Sequence, residues 1–470
     1  MTGPNKLADI VIYLLKIPYI SLTHSGFCEM SLSQPLVLVQ DTRFRIFLVP
    51  LLLSLMMLPV RSQDSTWFSF GGYIRSGFGV DGKGGPLDVF MAPNSEAKYR
   101  LGNEAETYAE LLGQYFLEDR QGARFETDVR LALVSPTSKS NSFTTTTSIR
   151  EAFVRACGII KKDPELAFWA GQRFYERLEI HIKDYWPRDM SGFGGGVENI
   201  SLGSFGRLNV AYLGGSIDQL NPDGTVIPIN QFSLNKTTLD LFLHDIKIGF
   251  GTLGLTADLS RFSGDRIQTE GGDYEILSNV GWSAGLIHRY EFEGGRNILH
   301  LFYGTGASYD NLAIIREPMG ITHLPGEVLD PSGFRKFRII EDLQINLTPH
   351  FSMLGVVLYQ KLNNNMPQNE ILDWFSAGVR PVWFINKYFA LVGELGMDYT
   401  SQEGLIQGSL WKITLAPQIS PLNKILTRPA IRAYVSYARW SEDFVGSVAS
   451  LSYPDSRQGF SMGLQMEVWW

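Results

Sequence analysis

The sequence predicts an all-β protein: a transmembrane antiparallel β-barrel around a wet lumen. Three observations predict it. Apolar and polar residues alternate with period two over long segments, and a strand puts successive side chains on opposite faces. After residue 63 no apolar run approaches the 18 or so residues of a membrane helix. Only 19% of residues are charged, while 12% are aromatic and 47 are glycine, which suits short-turned strands with a lipid-facing side. The 44% hydrophobic content excludes a disordered chain. A balance of 41 Lys+Arg against 48 Asp+Glu, net −7, disfavours a nucleic-acid partner, which needs a basic face.

Residues 1–62 read as a leader and 63–470 as the barrel. Arg43 and Arg45 precede an apolar run, 46–60, that ends at Val60-Arg61-Ser62. A basic region, an apolar core and a small-residue end are the layout of a secretory signal, and the core is short for a membrane anchor. Cleavage after Ser62 leaves Gln63 as the new N-terminus. Residues 1–41 precede that signal and read either as a long leader or as a start placed too far upstream. Of the two cysteines, Cys28 falls in the leader, so Cys157 is left alone and reads as a packed thiol.

The last segment alternates most regularly. Phe460, Met462, Leu464, Met466, Val468 and Trp470 share one parity, and Gly459, Ser461, Gly463, Gln465, Glu467 and Trp469 the other. In the first strand Phe68, Phe70, Ile74 and Phe78 oppose Tyr73 and Arg75. Val129, Leu131 and Leu133 oppose Glu126, Asp128 and Arg130, and Ile431, Ala433, Val435 and Tyr437 oppose Arg432, Tyr434 and Ser436. Asp81-Gly82, Gly294-Gly295, Asn363-Asn364-Asn365 and Pro454-Asp455 mark turns. In lipid every backbone group needs an internal partner, so such strands must close on themselves. Charges of both signs on the inner face would be costly in a dry core, and a water-filled lumen removes that cost.

Specific residues then carry a resemblance. Gly72-Tyr73-Ile74-Arg75-Ser76-Gly77, Ala97 to Glu104, and Glu106-Thr107-Tyr108-Ala109-Glu110 are similar to the N-terminal part of maltoporins, sugar-specific porins of Gram-negative outer membranes. Arg150-Glu151-Ala152, Trp169-Ala170-Gly171, Arg173-Phe174-Tyr175 and Gly196 to Ile200 match further on. So do Gly378 to Pro381, Lys412 to Ala416, Arg428 to Arg432 and the terminal Gln465 to Trp470. The match spans the chain from about residue 66 and is vague between roughly 205 and 375.

The resemblance implies an eighteen-stranded barrel with an inward-folded constriction loop. It also implies a homotrimer in outer-membrane lipid, passing maltose- or maltodextrin-like sugars by facilitated diffusion. An aromatic slide contacts sugar faces and a polar track exchanges hydrogen bonds with the hydroxyls. The slide positions fall on Tyr73, Tyr108 and Trp469, which the alternation independently puts on the polar parity. Phe143 corresponds to the ring lent by a neighbouring protomer. Two positions depart: Leu426 stands where tryptophan is usual, and Arg296 where an aromatic is expected, so the slide is expected to be shortened or re-routed. The polar track falls on Arg75, Arg100, Glu110, Arg150, Arg177, Glu179, His181 and Asp184, with the last ones in the constriction loop. Trp186, with Tyr185 beside it, takes the constriction position. The loop-1 disulfide positions fall near Leu87 and on Ala105, so that loop is expected to be held by packing alone.

No cofactor, metal or catalytic residue is expected. Gly71–Gly85 and Gly192–Gly196 lack nucleotide-binding context and read as bends and loops. His181 and Asp184 have no convincing third ligand. Two rivals to the sugar channel are an unselective diffusion porin and a barrel hydrolase, for which no serine–histidine pair is placed.

Overall fold

The computed structural model describes residues 65–135, 146–217, 234–269, 272–313, 328–364 and 371–470. The leader and Phe143 lie outside these residues.

The alternating segments form strands, and among the described residues eighteen of them make one sheet. Each pairs antiparallel with its neighbours in sequence, from Ser65–Asp81 with Thr107–Glu118 onward. The last strand, Gln458–Trp469, returns to the first, with Tyr73 opposite Trp469 and Arg75 opposite Glu467. The sheet is therefore a closed barrel with no edge, as a lipid environment demands. At the end where the chain enters and leaves, strands are joined by short turns such as Glu293-Gly294, between Asn279–Phe292 and Gly295–Thr305. Longer segments join them at the other end, among them 82–106 and 174–191.

The parity of the last strand holds. Phe460, Met462, Leu464 and Met466 lie on the barrel's outer surface, and Ser461, Gln465 and Glu467 are buried inside. Gly192–Gly196, expected as a loop, is instead the start of the strand Gly192–Ser201. Its glycines let neighbours approach: a Cβ on Gly196 would lie 2.5 Å from the Val210 carbonyl and 2.8 Å from the Trp169 indole nitrogen.

The interior is not uniformly wet, which corrects the expectation from charge alone. The segments 82–106 and 174–191 fold inward and pack against the wall formed by the strands from Arg335–Thr348 to Ala430–Trp440. Tyr99 lies flat over Gly378 and Gly396, where a Cβ would sit 2.3 and 2.2 Å from its ring. Its hydroxyl is 2.9 Å from that of Ser376. Lys183 is buried beside it, 3.9 Å from the Tyr99 ring centre, and donates to Asp398 at 2.8 Å. Segment 82–106 is held by charge as well as packing. Glu96 accepts from Lys336 at 2.6 Å and Arg338 at 3.2 Å, and Asn103 donates to the Phe90 and Tyr99 carbonyls.

Candidate functional site

The two inward segments leave a cavity of about 1140 Å³ within the barrel. Tyr73, Tyr108, Trp469, Leu426, Arg75, Arg100, Glu110, Arg150, Arg177, Glu179, His181, Asp184 and Trp186 all line it.

Three aromatic rings form a band on adjacent strands. Tyr73 stands opposite Trp469 across one strand pair, and Tyr108 lies opposite Arg75 across the next. The Tyr73 ring centre is 6.4 Å from that of Trp469 and 6.2 Å from that of Tyr108. Strand pairing fixes this spacing, because side chains opposite or diagonal on one face fall within reach of one another. Trp469 is 38% exposed, which leaves an apolar ring facing open space. The Arg428 guanidinium stacks 4.2 Å from its centre, and His181 meets it edge-on.

Charged groups flank the band. The Tyr73 hydroxyl donates to Glu467 at 3.0 Å and accepts from Arg100 at 2.9 Å. Arg75 lies 5.1 Å from the Tyr108 ring centre and pairs with Glu106 and, at 3.1 Å, with Asp184. The Tyr108 hydroxyl donates to Glu110, which also takes Arg130 at 3.0 Å. His181 contacts Glu179 at 3.0 Å. Burial, together with the charge of Arg100, holds the His181 imidazole below its ordinary pKa in spite of Glu179, so it stays neutral at neutral pH. A neutral imidazole both donates and accepts.

Segment 174–191 narrows the space. Its short hairpin pairs Leu178–Ile180 with Tyr185–Arg188. Trp186 faces the cavity with Arg177 stacked 4.0 Å from its ring centre, and Arg177 also lies 4.4 Å from Phe174 and pairs with Asp189 at 3.0 Å. Tyr185 points the other way and does not line the cavity. It packs edge-on against buried Trp374, and its hydroxyl donates to Glu96 at 2.9 Å and Gln360 at 3.2 Å. In an extended backbone neighbouring side chains face opposite ways, so one of two adjacent rings narrows the opening and the other anchors the loop.

The cavity also contains residues that the sequence reading did not single out: Phe174, Phe193, Arg173, Arg289 and His300. Arg289 and His300 sit in the stretch where the resemblance is vague. Their signal was the inward parity of Gly285, Ile287 and Arg289. Arg296, where an aromatic was expected, is on this wall too.

Among the described residues no group of acidic, histidine or cysteine side chains is arranged to hold a metal. None of the hydrogen bonds that described histidines make goes to a serine. Cys157 is free and half-buried at the end of its strand.

A comparison with family models decides what this architecture belongs to: LamB porin matches residues 68–470. The chain is a member of the LamB porin family. It is an outer-membrane, multi-pass β-barrel porin, and both family and fold are those of a channel rather than of an enzyme. Among solved structures the porin is similar to an anion-selective porin from Comamonas acidovorans, at 10% identity over 86% of this chain and 100% of that one, with a TM-score of 0.43. It is also similar to OccD3 of Pseudomonas aeruginosa, at 9% identity over 88% and 95%, with a TM-score of 0.44.

Proposed function

We propose that this porin is carbohydrate-selective and gives facilitated diffusion of maltose- or maltodextrin-like sugars through the cavity. The observation that carries the reading is the band Trp469–Tyr73–Tyr108 beside a run of hydrogen-bonding side chains. A sugar ring has C–H faces that pack on an aromatic surface and an equator of hydroxyls that need donors and acceptors. Arg75, Arg100, Glu110, Glu179, His181 and Asp184 offer both at the edge of the band. A series of weak sites, each near the next, favours passage over capture. In this reading stacked Trp186 and Arg177 form the constriction, and Leu426 leaves the band one ring shorter.

In the same reading the protein works as a homotrimer, with Phe143 lent across the subunit boundary, and its mature chain begins near Gln63. Sugar-dependent block of current through the reconstituted channel tests the central part. Block that deepens from maltose to maltotriose supports selectivity, and a current indifferent to every neutral sugar would make it an unselective diffusion porin.

A further inference from the structure

The aromatic band does not continue onto the wall formed by Asn279–Phe292 and Gly295–Thr305. There Arg289 stands directly opposite Ile298, and Arg296 and His300 flank Ile298 two residues away on the same face. All three basic side chains line the cavity. Among the described residues neither arginine makes an ion pair, and Arg296 leaves its Nε without a hydrogen-bond partner. His300 is only 3% exposed, yet neither ring nitrogen has a partner. Two carboxylates sit at adjoining registers, Asp342 opposite Ile298 and Glu291 opposite Arg296, and neither pairs with these cations.

The fully buried cations elsewhere among the described residues differ. Buried Lys183, Arg188, Arg380, Lys412 and Arg432 each hold a carboxylate. Buried polar groups in a folded protein are normally satisfied, so a group left open toward a cavity marks a place for a ligand. Two guanidinium groups and an imidazole suit an oxyanion: arginine binds carboxylate or phosphate through paired N–H groups, and histidine adds an N–H donor.

We propose that Arg289, Arg296 and His300 form a site for the anionic group of an acidic saccharide, a carboxylate or a phosphate ester carried on a sugar. This rests on the carbohydrate reading above: the sugar rings lie on the aromatic band and the charge reaches the facing basic wall.

The test is current block of the reconstituted full-length porin at low ionic strength, where charge is least screened. Four probes are compared: maltose, maltose 1-phosphate, a glucuronate-containing disaccharide and inorganic phosphate. Both charged sugars should block at roughly tenfold lower concentration than maltose, the size of one charge-assisted contact. Tighter block by the glucuronide assigns the site to carboxylates, and tighter block by the phosphate assigns it to phosphate esters. Arg289→Gln with Arg296→Gln should bring the charged-to-neutral ratio to about one, while Arg296→Lys, which keeps the charge, should retain most of it. If the double variant does not assemble, Arg289→Gln alone, on an exposed residue, should lower the ratio. Equal block by charged and neutral sugars in the native porin would overturn this site and leave the carbohydrate reading standing. Absence of block by any sugar would overturn both. Inorganic phosphate blocking as tightly as the sugar phosphate, or a ratio that survives the double variant, would also overturn it.

Discussion

Covered and open parts of the lumen use the same residue types in opposite ways. The strands from Arg335 to Trp440, with the last strand beside them, are covered by segments 82–106 and 174–191, and their ions are matched in closed networks. Glu394 takes Arg380 and Lys412, Asp398 takes Lys183 and the Trp374 indole, and Glu467 takes Arg100, Arg428 and Arg432. Along the open cavity, on strands outside that group, Arg150, Arg289 and Arg296 have no ion pair among the described residues. Where a loop covers an arginine, its desolvation must be offset by a carboxylate. Where nothing covers it, water or a passing solute serves. The difference shows that charge on the inner parity does not by itself mark a pathway, because much of it serves to fasten the inward segments.

The largest effect that would break this contrast is at Glu467, which is 2% exposed. Glu467→Gln leaves three arginines around a neutral group and should cost about 3–5 kcal/mol, the usual penalty for removing one partner of a buried ionic cluster. The folded species on unheated gels should dissociate at a markedly lower temperature. The same measurement on Arg150→Gln should show almost no change, because surface charges contribute little. Equal shifts would mean that the covered and open parts are not different.

Gly396→Ala should have a smaller effect. The added methyl meets the Tyr99 ring, and overpacking of this kind costs about 1–3 kcal/mol. Tyr99→Leu in the same background should restore part of the loss, and lack of rescue would show that Tyr99 is not the obstacle.

Acid should loosen the covering segment in a definite window. Burial raises the pKa of the Glu96 carboxyl, but the charges of Lys336 and Arg338 outweigh it and hold it at about 2, against an ordinary 4.5. A group depressed on folding stabilises fully above its ordinary value, and that stabilisation is lost as pH falls toward the folded value. Channel conductance should therefore become unsteady as pH drops from about 4.5 to about 2. Glu96→Gln should show that unsteadiness already at neutral pH, with no further acid transition in that window.

Much of the fold was legible because alternation is a local signal. It placed Phe460 to Met466 outside and Tyr73, Tyr108 and Trp469 inside, and the turn dipeptides marked where strands end. The covered wall was not legible, because its contacts join distant parts of the chain. Arg100 meets Glu467 across 367 residues and Lys183 meets Asp398 across 215, and no periodicity encodes either pair. For the same reason the sequence places Tyr185 beside Trp186 at the constriction, although it anchors the loop and only Trp186 faces the cavity. Arg289 and His300 lie where the resemblance is vague, and the alternation that turns them inward does not tell a lining residue from a packed one.

In the proposed pathway the aromatic band, rather than the constriction, holds the sugar. Current block with maltotriose in Trp469→Ala, Tyr108→Ala and Trp186→Ala tests this most directly. Loss of one aromatic contact should cost about 1 kcal/mol, so block by the first two should weaken roughly fivefold with little change in ion conductance. Trp186→Ala should instead raise the open-channel current and relax discrimination among sugars. If Trp469→Ala and Tyr108→Ala are blocked as tightly as the native porin by every sugar tried, the band is structural and the carbohydrate pathway lies elsewhere or does not exist.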